Sequence, residues 1–249
     1  MKILGSDFDG TLTVGGIDEV KCEAIRAWRR AGNLFGLVSG RGPSYLYRLR
    51  EQYPDLEMDF LAAYNGAFIV DHEGKTLHTT PCEGVSAYRL TEDLLRWGCP
   101  VVFVNGERSY TVKQDGVPLG ASECYLSELP RGTSWFHQVS IQLDTPADVA
   151  MMDERIRKAY GDRLNPLKNN ICIDIVDATV NKAYGLRCVA EQFGCKENDV
   201  IAVGDNLNDL DMLKAFRSYA MENGVEEVKR VADRTVKTVT ELIYRELVR

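Results

Sequence analysis

Apolar and polar positions follow two different rhythms along this chain, and the change of rhythm divides it. The opening run MKILGSDF is mostly apolar and predicts a buried strand. Residues 18–32 place Val20, Ala24, Ile25 and Trp28 at helical spacing and stop at Gly32, which predicts an amphipathic helix. A strand is predicted at 33–41, a helix at 43–53, and at 59–70 a strand that turns at Asn65-Gly66 into a hairpin. The same rhythm returns near the other end, with helices at 182–194, 208–216 and 224–232 and strands at 199–206 and 218–221. Strands separated by helices predict a parallel sheet with helices on both faces, an α/β, doubly wound, Rossmann-like core.

The middle reads differently. From about Thr80 to Asp177 the pattern gives a helix (85–98), two strands (100–106 and 109–116) and an irregular stretch to Thr133. A strand (135–144), a helix (146–161) and a last strand (170–177) follow. Turn signals such as Asn105-Gly106 predict antiparallel pairing, hence an α+β pattern with helices on one face. The expected organisation is a core made of 1–80 and 181–249, with an α+β domain at 81–180 inserted into it. Hinges are expected at 79–84 and 177–181.

Composition narrows the class. With 249 residues, 45% of them hydrophobic, the chain can bury a full core. A formal net charge of −7 and the lack of a basic stripe argue against a nucleic-acid partner. The apolar stretch after Lys2 is broken by Asp7, too early for a signal-peptide core, and no apolar run reaches membrane-spanning length. A cytoplasmic protein with no membrane partner is expected. Cys22, Cys82, Cys99, Cys124, Cys172, Cys188 and Cys195 are odd in number and never in a C-x-x-C pair, so neither a disulfide framework nor a zinc site is expected.

Ligands of an open parallel sheet bind outside the carboxyl ends of its strands. Four such places carry chemistry: Asp7, Asp9 and Thr11 after the first strand; Ser39-Gly40-Arg41 after the second; Lys182 at a helix start; and Asp205-Asn206 with Asn208-Asp209 after VIAV. Each also has a plain reading. Asp-x-Asp-Gly can be a tight turn, Ser39-Gly40 a helix cap, Lys182 solvated surface, and the last group a capped helix start. Four such signals, each at a strand end and in this order, point instead to one crevice. Carboxylates gathered there repel unless a cation sits among them, and hard oxygen donors suit Mg²⁺.

DFDGTLT, LVSGR, the lysine of TVNKA and GDNLNDLDML resemble, in order, the four motifs of the haloacid-dehalogenase-like phosphatases. YNGAFI and AMENGVEEVKRVAD further resemble the Cof-type branch, which carries an α+β cap between its second and third motifs. Two flanks depart from the family pattern: Thr179-Val180-Asn181 precedes the lysine where G-V-S is common, and Met221-Glu222-Asn223-Gly224 stands where M-G-N-A is common.

The resemblance implies a Mg²⁺-dependent phosphatase in which Asp7 is the nucleophile, forming an aspartyl-phosphate, and Asp9 the general acid and base. It implies that Asp7, Asp205 and the Asp9 main-chain carbonyl hold the metal. Thr11, Ser39, Gly40, Lys182 and Asn208 would bind the phosphoryl oxygens, Arg41 would support the site, and Asp209 would orient Lys182 or a metal-bound water. The cap would supply specificity for a small phosphorylated metabolite, such as a sugar phosphate or phosphoglycolate. Arg41 on the core side and Arg108, Lys113, His137, Lys168 and Asn170 in the cap are the candidates to face it. Two alternatives stay open: a phosphomutase resembling phosphomannomutase, and a non-catalytic phospho-ligand-binding protein, against which the presence of Asp7, Asp9 and Lys182 counts.

Overall fold

The structure is a computed structural model that describes residues 1–106, 108–131 and 136–248, the side chains of 46 and 47 apart. The chain forms two compact units, Met1–Thr79 with Asn181–Arg249, and Thr80–Val180. The first unit opens with β1 (Ile3–Ser6), α1 (Glu19–Arg30), β2 (Leu34–Val38), α2 (Ser44–Gln52), β3 (Phe60–Ala63), β4 (Phe68–Asp71) and β5 (Thr76–Thr79). The second holds α3 (Ala87–Arg96), β6 (Val102–Asn105), β7 (Ser109–Lys113), β8 (Glu123–Tyr125), β9 (Gln138–Gln142), α4 (Pro146–Tyr160), β10 (Leu164–Asn169) and β11 (Cys172–Asp177). The chain returns to the first with α5 (Lys182–Gln192), β12 (Val200–Gly204), α6 (Leu210–Ala215), β13 (Arg217–Met221), α7 (Glu226–Val231), β14 (Arg234–Val236) and α8 (Val239–Leu247).

The first unit is an eight-stranded sheet in the order β14-β13-β12-β1-β2-β3-β4-β5, parallel as far as β3 and finished by an antiparallel hairpin. Strand side chains alternate between faces, so adjacent residues of β1 enter different cores. Ile3 packs with Leu186, Val189 and Val200. Leu4 packs with Ile25, Trp28, Phe35 and Ile243. Helices on both sides bury both faces, which makes this an α/β, doubly wound core. The register then fixes where the site lies. Ser6 stands opposite Leu37 of β2 and Val203 of β12, so Asp7, Ser39 and Asp205 leave the sheet together at the carboxyl ends of three neighbouring strands.

The second unit is a six-stranded sheet in the order β10-β11-β9-β6-β7-β8, antiparallel except where β7 meets β8. Val139, Ile141, Ile173 and Ile175 alternate inward and pack with Leu90 and Leu94 of α3 and Ile156 of α4. This is the α+β pattern. Trp135, expected to begin the strand found at Gln138–Gln142, and residues 132–133 of the expected irregular stretch lie outside the described residues.

Four strands and a helix are not predicted by the pattern. β10 reads LNPLKN, where Pro166 and the polar residues obscure a strand; it sits at a sheet edge, where a missing N–H need cost no ladder bond. β5, β14 and β8 are also edge strands, of four, three and three residues, β8 lying within the stretch expected to be irregular. α8 follows Thr238, whose hydroxyl accepts from Glu241 N at 3.1 Å and caps the helix. All seven cysteines are unpaired thiols, and no helix among the described residues is long and apolar enough to cross a membrane.

Candidate functional site

Asp7 extends β1 by one more parallel bond, from its N–H to the Val203 carbonyl at 2.9 Å, and its side chain turns into the crevice. There its Oδ1 lies 2.5 Å from Lys182 Nζ. The same ammonium is 2.5 Å from Asp209 Oδ1, and Lys182 is 0% exposed. Asn181 caps α5 by accepting from Tyr184 N at 2.8 Å, so Lys182 is the first residue of that helix. A buried cation is doubly unfavoured there, by desolvation and by the positive end of the helix dipole. Two carboxylates offset both. The other Asp209 oxygen accepts from the N–H groups of Asp205 and Asn206, at 2.8 and 2.9 Å.

Asp205 is set by its own partners. Thr11 Oγ1 donates to Asp205 Oδ1 at 2.6 Å. Gly10 has φ +79, and a Cβ there would lie 2.5 Å from Asp205 Oδ2, so the Asp-x-Asp turn needs glycine twice over. The Gly10 N–H is donated to Thr13 Oγ1 at 3.1 Å and is not open to a phosphate. From the far end of the chain, Asn223 Nδ2 donates to the Gly10 carbonyl at 2.8 Å, and Val225 N to the Asp205 carbonyl at 2.9 Å.

The other flank is built on the turn after β3. Tyr64, Asn65 and Gly66 all have positive φ, at 51, 55 and 101°, a strained run for two non-glycine residues. The turn lies under Ser39. Asn65 N donates to the Ser39 carbonyl at 2.8 Å, and Tyr64 N to the Arg41 carbonyl at 3.0 Å. Ser39 is buried, its hydroxyl accepts from Arg41 N at 3.2 Å, and Gly40 follows it at the strand end. Asn208, also buried, donates to Asn65 Oδ1 at 3.4 Å. Helix α5 reaches the same turn through glycine: a Cβ on Gly185 would lie 2.7 Å from Gly66 Cα. Gly185→Ala should therefore push α5 and Lys182 outward and cost about 1–3 kcal/mol. Chemical denaturation checks this, and an unchanged midpoint would contradict it.

Charge sums the wrong way in this cluster. Asp7, Asp205 and Asp209 each place one oxygen within 4.8 Å of the others, so three carboxylates face one ammonium. Burial would pull Lys182 down, but Asp209 and Asp7 outweigh it and hold it above its ordinary value, so it stays charged. Burial pushes Asp7 up to about 8; Lys182 opposes this, while Asp209 and Asp205 add to it. Asp205 is raised as well, first by burial. The crevice lacks positive charge.

Asp9, unlike Asp7, points outward and pairs with Arg41, Nε to Oδ2 at 2.7 Å and Nη2 to Oδ1 at 2.8 Å. The residues expected to face a substrate from the cap all lie in the second unit. Lys113 pairs with Glu123 at 2.8 Å and Lys168 with Asp153 at 3.5 Å. His137 is buried, and burial holds its ring below the ordinary value. Arg108 and Asn170 are exposed, Asn170 with φ 53° in the turn between β10 and β11. The structure adds Asn65, Gly185 and Asn223 to the neighbourhood. Two of these had a legible signal, in the Asn65-Gly66 turn and in the departing segment MENG.

The sequence is similar to the 5-amino-6-(5-phospho-D-ribitylamino)uracil phosphatase YbjI of Escherichia coli, 25% identical over 255 residues, covering 93% of this chain and 89% of that protein. It is also similar to the phosphoglycolate phosphatase of Natronomonas pharaonis, 26% identical over 235 residues, covering 92% and 88%. The fold superposes on the subclass IIB sugar phosphatase BT4131 with a TM-score of 0.80, over 100% of both chains at 19% identity. Residues 4–242, which contain every side chain of the crevice, match the haloacid dehalogenase-like hydrolase family, and the chain belongs to it.

Proposed function

We propose that this chain is a Mg²⁺-dependent phosphatase that hydrolyses small phosphate monoesters through an aspartyl-phosphate. The observation that carries this reading is the wholly buried Lys182 ammonium, 2.5 Å from both Asp7 and Asp209 at the end of β1. A phosphoryl group and a carboxylate nucleophile repel, and a fixed cation between them is the main thing a protein can supply to this reaction.

In this reading an Asp7 oxygen bonds to phosphorus as the ester P–O bond breaks, and a proton on Asp9 passes to the departing oxygen. Water then gives a proton to Asp9, and its oxygen displaces Asp7 from phosphorus. Lys182, Ser39, Asn208 and the main-chain N–H groups of Thr11 and Gly40 bind the remaining oxygens. The Thr11 hydroxyl, committed to Asp205, orients that carboxylate instead. Asp209 holds Lys182, and with both oxygens engaged it is the least available of the three acids to a metal.

The donor set fits the metal: hard carboxylate oxygens, close together and short of positive charge. Asp7, Asp205 and the Asp9 carbonyl would hold it, and when bound it supplies positive charge against which nucleophile and phosphate can gather. The second unit would act as the cap that selects the substrate, a small phosphorylated metabolite such as a sugar phosphate or phosphoglycolate. A nucleic-acid substrate is disfavoured by the net charge of −7. The test is phosphate release from a panel of phosphorylated metabolites, with Mg²⁺ and with excess chelator. Release from none of them, or release undiminished by chelator, would overturn the reading.

Metal binding should also couple to pH. Asp7 has a value of about 8 in the folded chain against an ordinary 3.8, so its protonated form favours folding. That contribution is full below about 4 and is lost as pH rises through about 8, where the ionised group is left uncompensated. Added Mg²⁺ should therefore raise the melting temperature more at pH 8 than at pH 6. An equal or smaller increment at pH 8 would contradict the assignment.

A further inference from the structure

One guanidinium grips both oxygens of Asp9. Arg41 Nε and Nη2 lie 2.7 and 2.8 Å from Oδ2 and Oδ1, a parallel fork. Arg41 is held in place from several sides. Its N–H donates to Ser39 Oγ, its carbonyl accepts from Tyr64 N, and its guanidinium lies over the Tyr45 ring at 4.4 Å. Tyr45 in turn stands edge-on to buried Phe8 at 5.2 Å. The cation is thus fixed beside the crevice, while the carboxylate it holds belongs to a mobile acid in the proposed chemistry.

The two roles of Asp9 compete. With both oxygens held by the Arg41 guanidinium, neither is free to reach the departing oxygen, which a general acid must do. The pair is nearly half exposed, 44% for Arg41 and 53% for Asp9, and exposed pairs open at little cost. A planar guanidinium takes carboxylate or phosphate oxygens in the same two-pronged geometry, so another anion can replace Asp9 without Arg41 moving.

We propose that Arg41 is the receptor for a second anionic group on the substrate, a carboxylate or a second phosphoryl group apart from the one transferred, and that its docking releases Asp9 to act as acid. The preferred substrates are then phosphate monoesters of molecules that carry another negative charge. This rests on the phosphatase reading. In each turnover the released Asp9 gives a proton to the ester oxygen as the P–O bond breaks and Asp7 bonds to phosphorus, then recovers one from the attacking water as that water's oxygen displaces Asp7.

The test compares 2-phosphoglycolate with ethyl phosphate, similar in size and different in charge, in the wild type and in Arg41→Met and Arg41→Lys. The wild type should favour the charged ester by roughly tenfold to a hundredfold in kcat/KM, the scale of one charge-assisted forked contact. Arg41→Met should erase that preference from both sides, lowering kcat/KM for phosphoglycolate and raising kcat for ethyl phosphate by about two- to fivefold, the range expected for an exposed pair. Arg41→Lys, which keeps the charge and loses the fork, should fall between. Equal losses on both esters would overturn the proposal and leave Arg41 as a positioning residue for Asp9; an unchanged preference would overturn it as well. Failure of the underlying reading looks different: the wild type would then turn over neither ester, nor an aryl phosphate.

Discussion

Lys182→Met should lower turnover of every phosphate ester by roughly a hundredfold to a thousandfold, the usual cost of removing a fixed charge from a dry site where charge develops. It should also destabilise the fold. Lys182 is 0% exposed and is the shared partner of Asp7 and Asp209, so its removal leaves two acids buried side by side. Breaking a buried ion pair from one side typically costs about 3–5 kcal/mol. At alkaline pH, Asp7→Asn added to Lys182→Met should then restore part of the lost stability, because it removes one of two acids that ionise there with no cation between them, while Asp7→Asn alone should not mimic that gain. Chemical denaturation of the single and double variants, beside phosphate release on several esters, measures both effects. A rate loss confined to one substrate, or strictly additive stabilities, would show that the lysine does not serve the cluster in this way.

The second large effect separates the two aspartates of the turn. Asp7→Asn should abolish turnover of all esters, since Asp9 points away from Lys182 toward Arg41 and has no route to phosphorus in its place. Asp9→Asn should instead discriminate by leaving group. An alkoxide of high pKa needs the proton that Asp9 carries, so alkyl ester hydrolysis should fall by about 10²–10⁴-fold. An aryl oxide leaves unaided, so the first step should survive with an aryl phosphate. The second step still needs a base, which should give a burst of aryl alcohol close to one equivalent per enzyme followed by slow turnover. Rapid-mixing absorbance on aryl phosphate, beside steady-state rates on an alkyl ester, reads both.

The rhythm of the pattern made the core legible, because long amphipathic helices such as α1 and apolar strands such as β1 and β12 carry strong periodic signals. Edge strands lacked that signal. β10 needs only one neighbour, so Pro166 and its polar residues are tolerated there, and only pairing with β11 reveals a strand. In the crevice, chemistry-bearing residues at strand ends were readable; the Asn65-Gly66 turn and the segment MENG were visible too, but not the way they set the site. Asn65 contributes through a strained backbone, Gly185 through a missing side chain, and Asn223 through a contact with Gly10 from 213 positions away. Thr11 shows the same limit from the other side: its position was legible, but the commitment of its hydroxyl to Asp205 appears only once β1 and β12 are adjacent.

Mass analysis of the acid-quenched Asp9→Asn variant shows whether Asp7 itself accepts the phosphoryl group. After brief mixing with an aryl phosphate and Mg²⁺, a fraction of the protein close to the burst amplitude should gain the mass of one phosphoryl group. Digestion should place that mass on the peptide containing Asp7, and Asp7→Asn in the same background should remove it. A phosphoryl group on any other peptide, or none at all while aryl alcohol is released, would contradict the account.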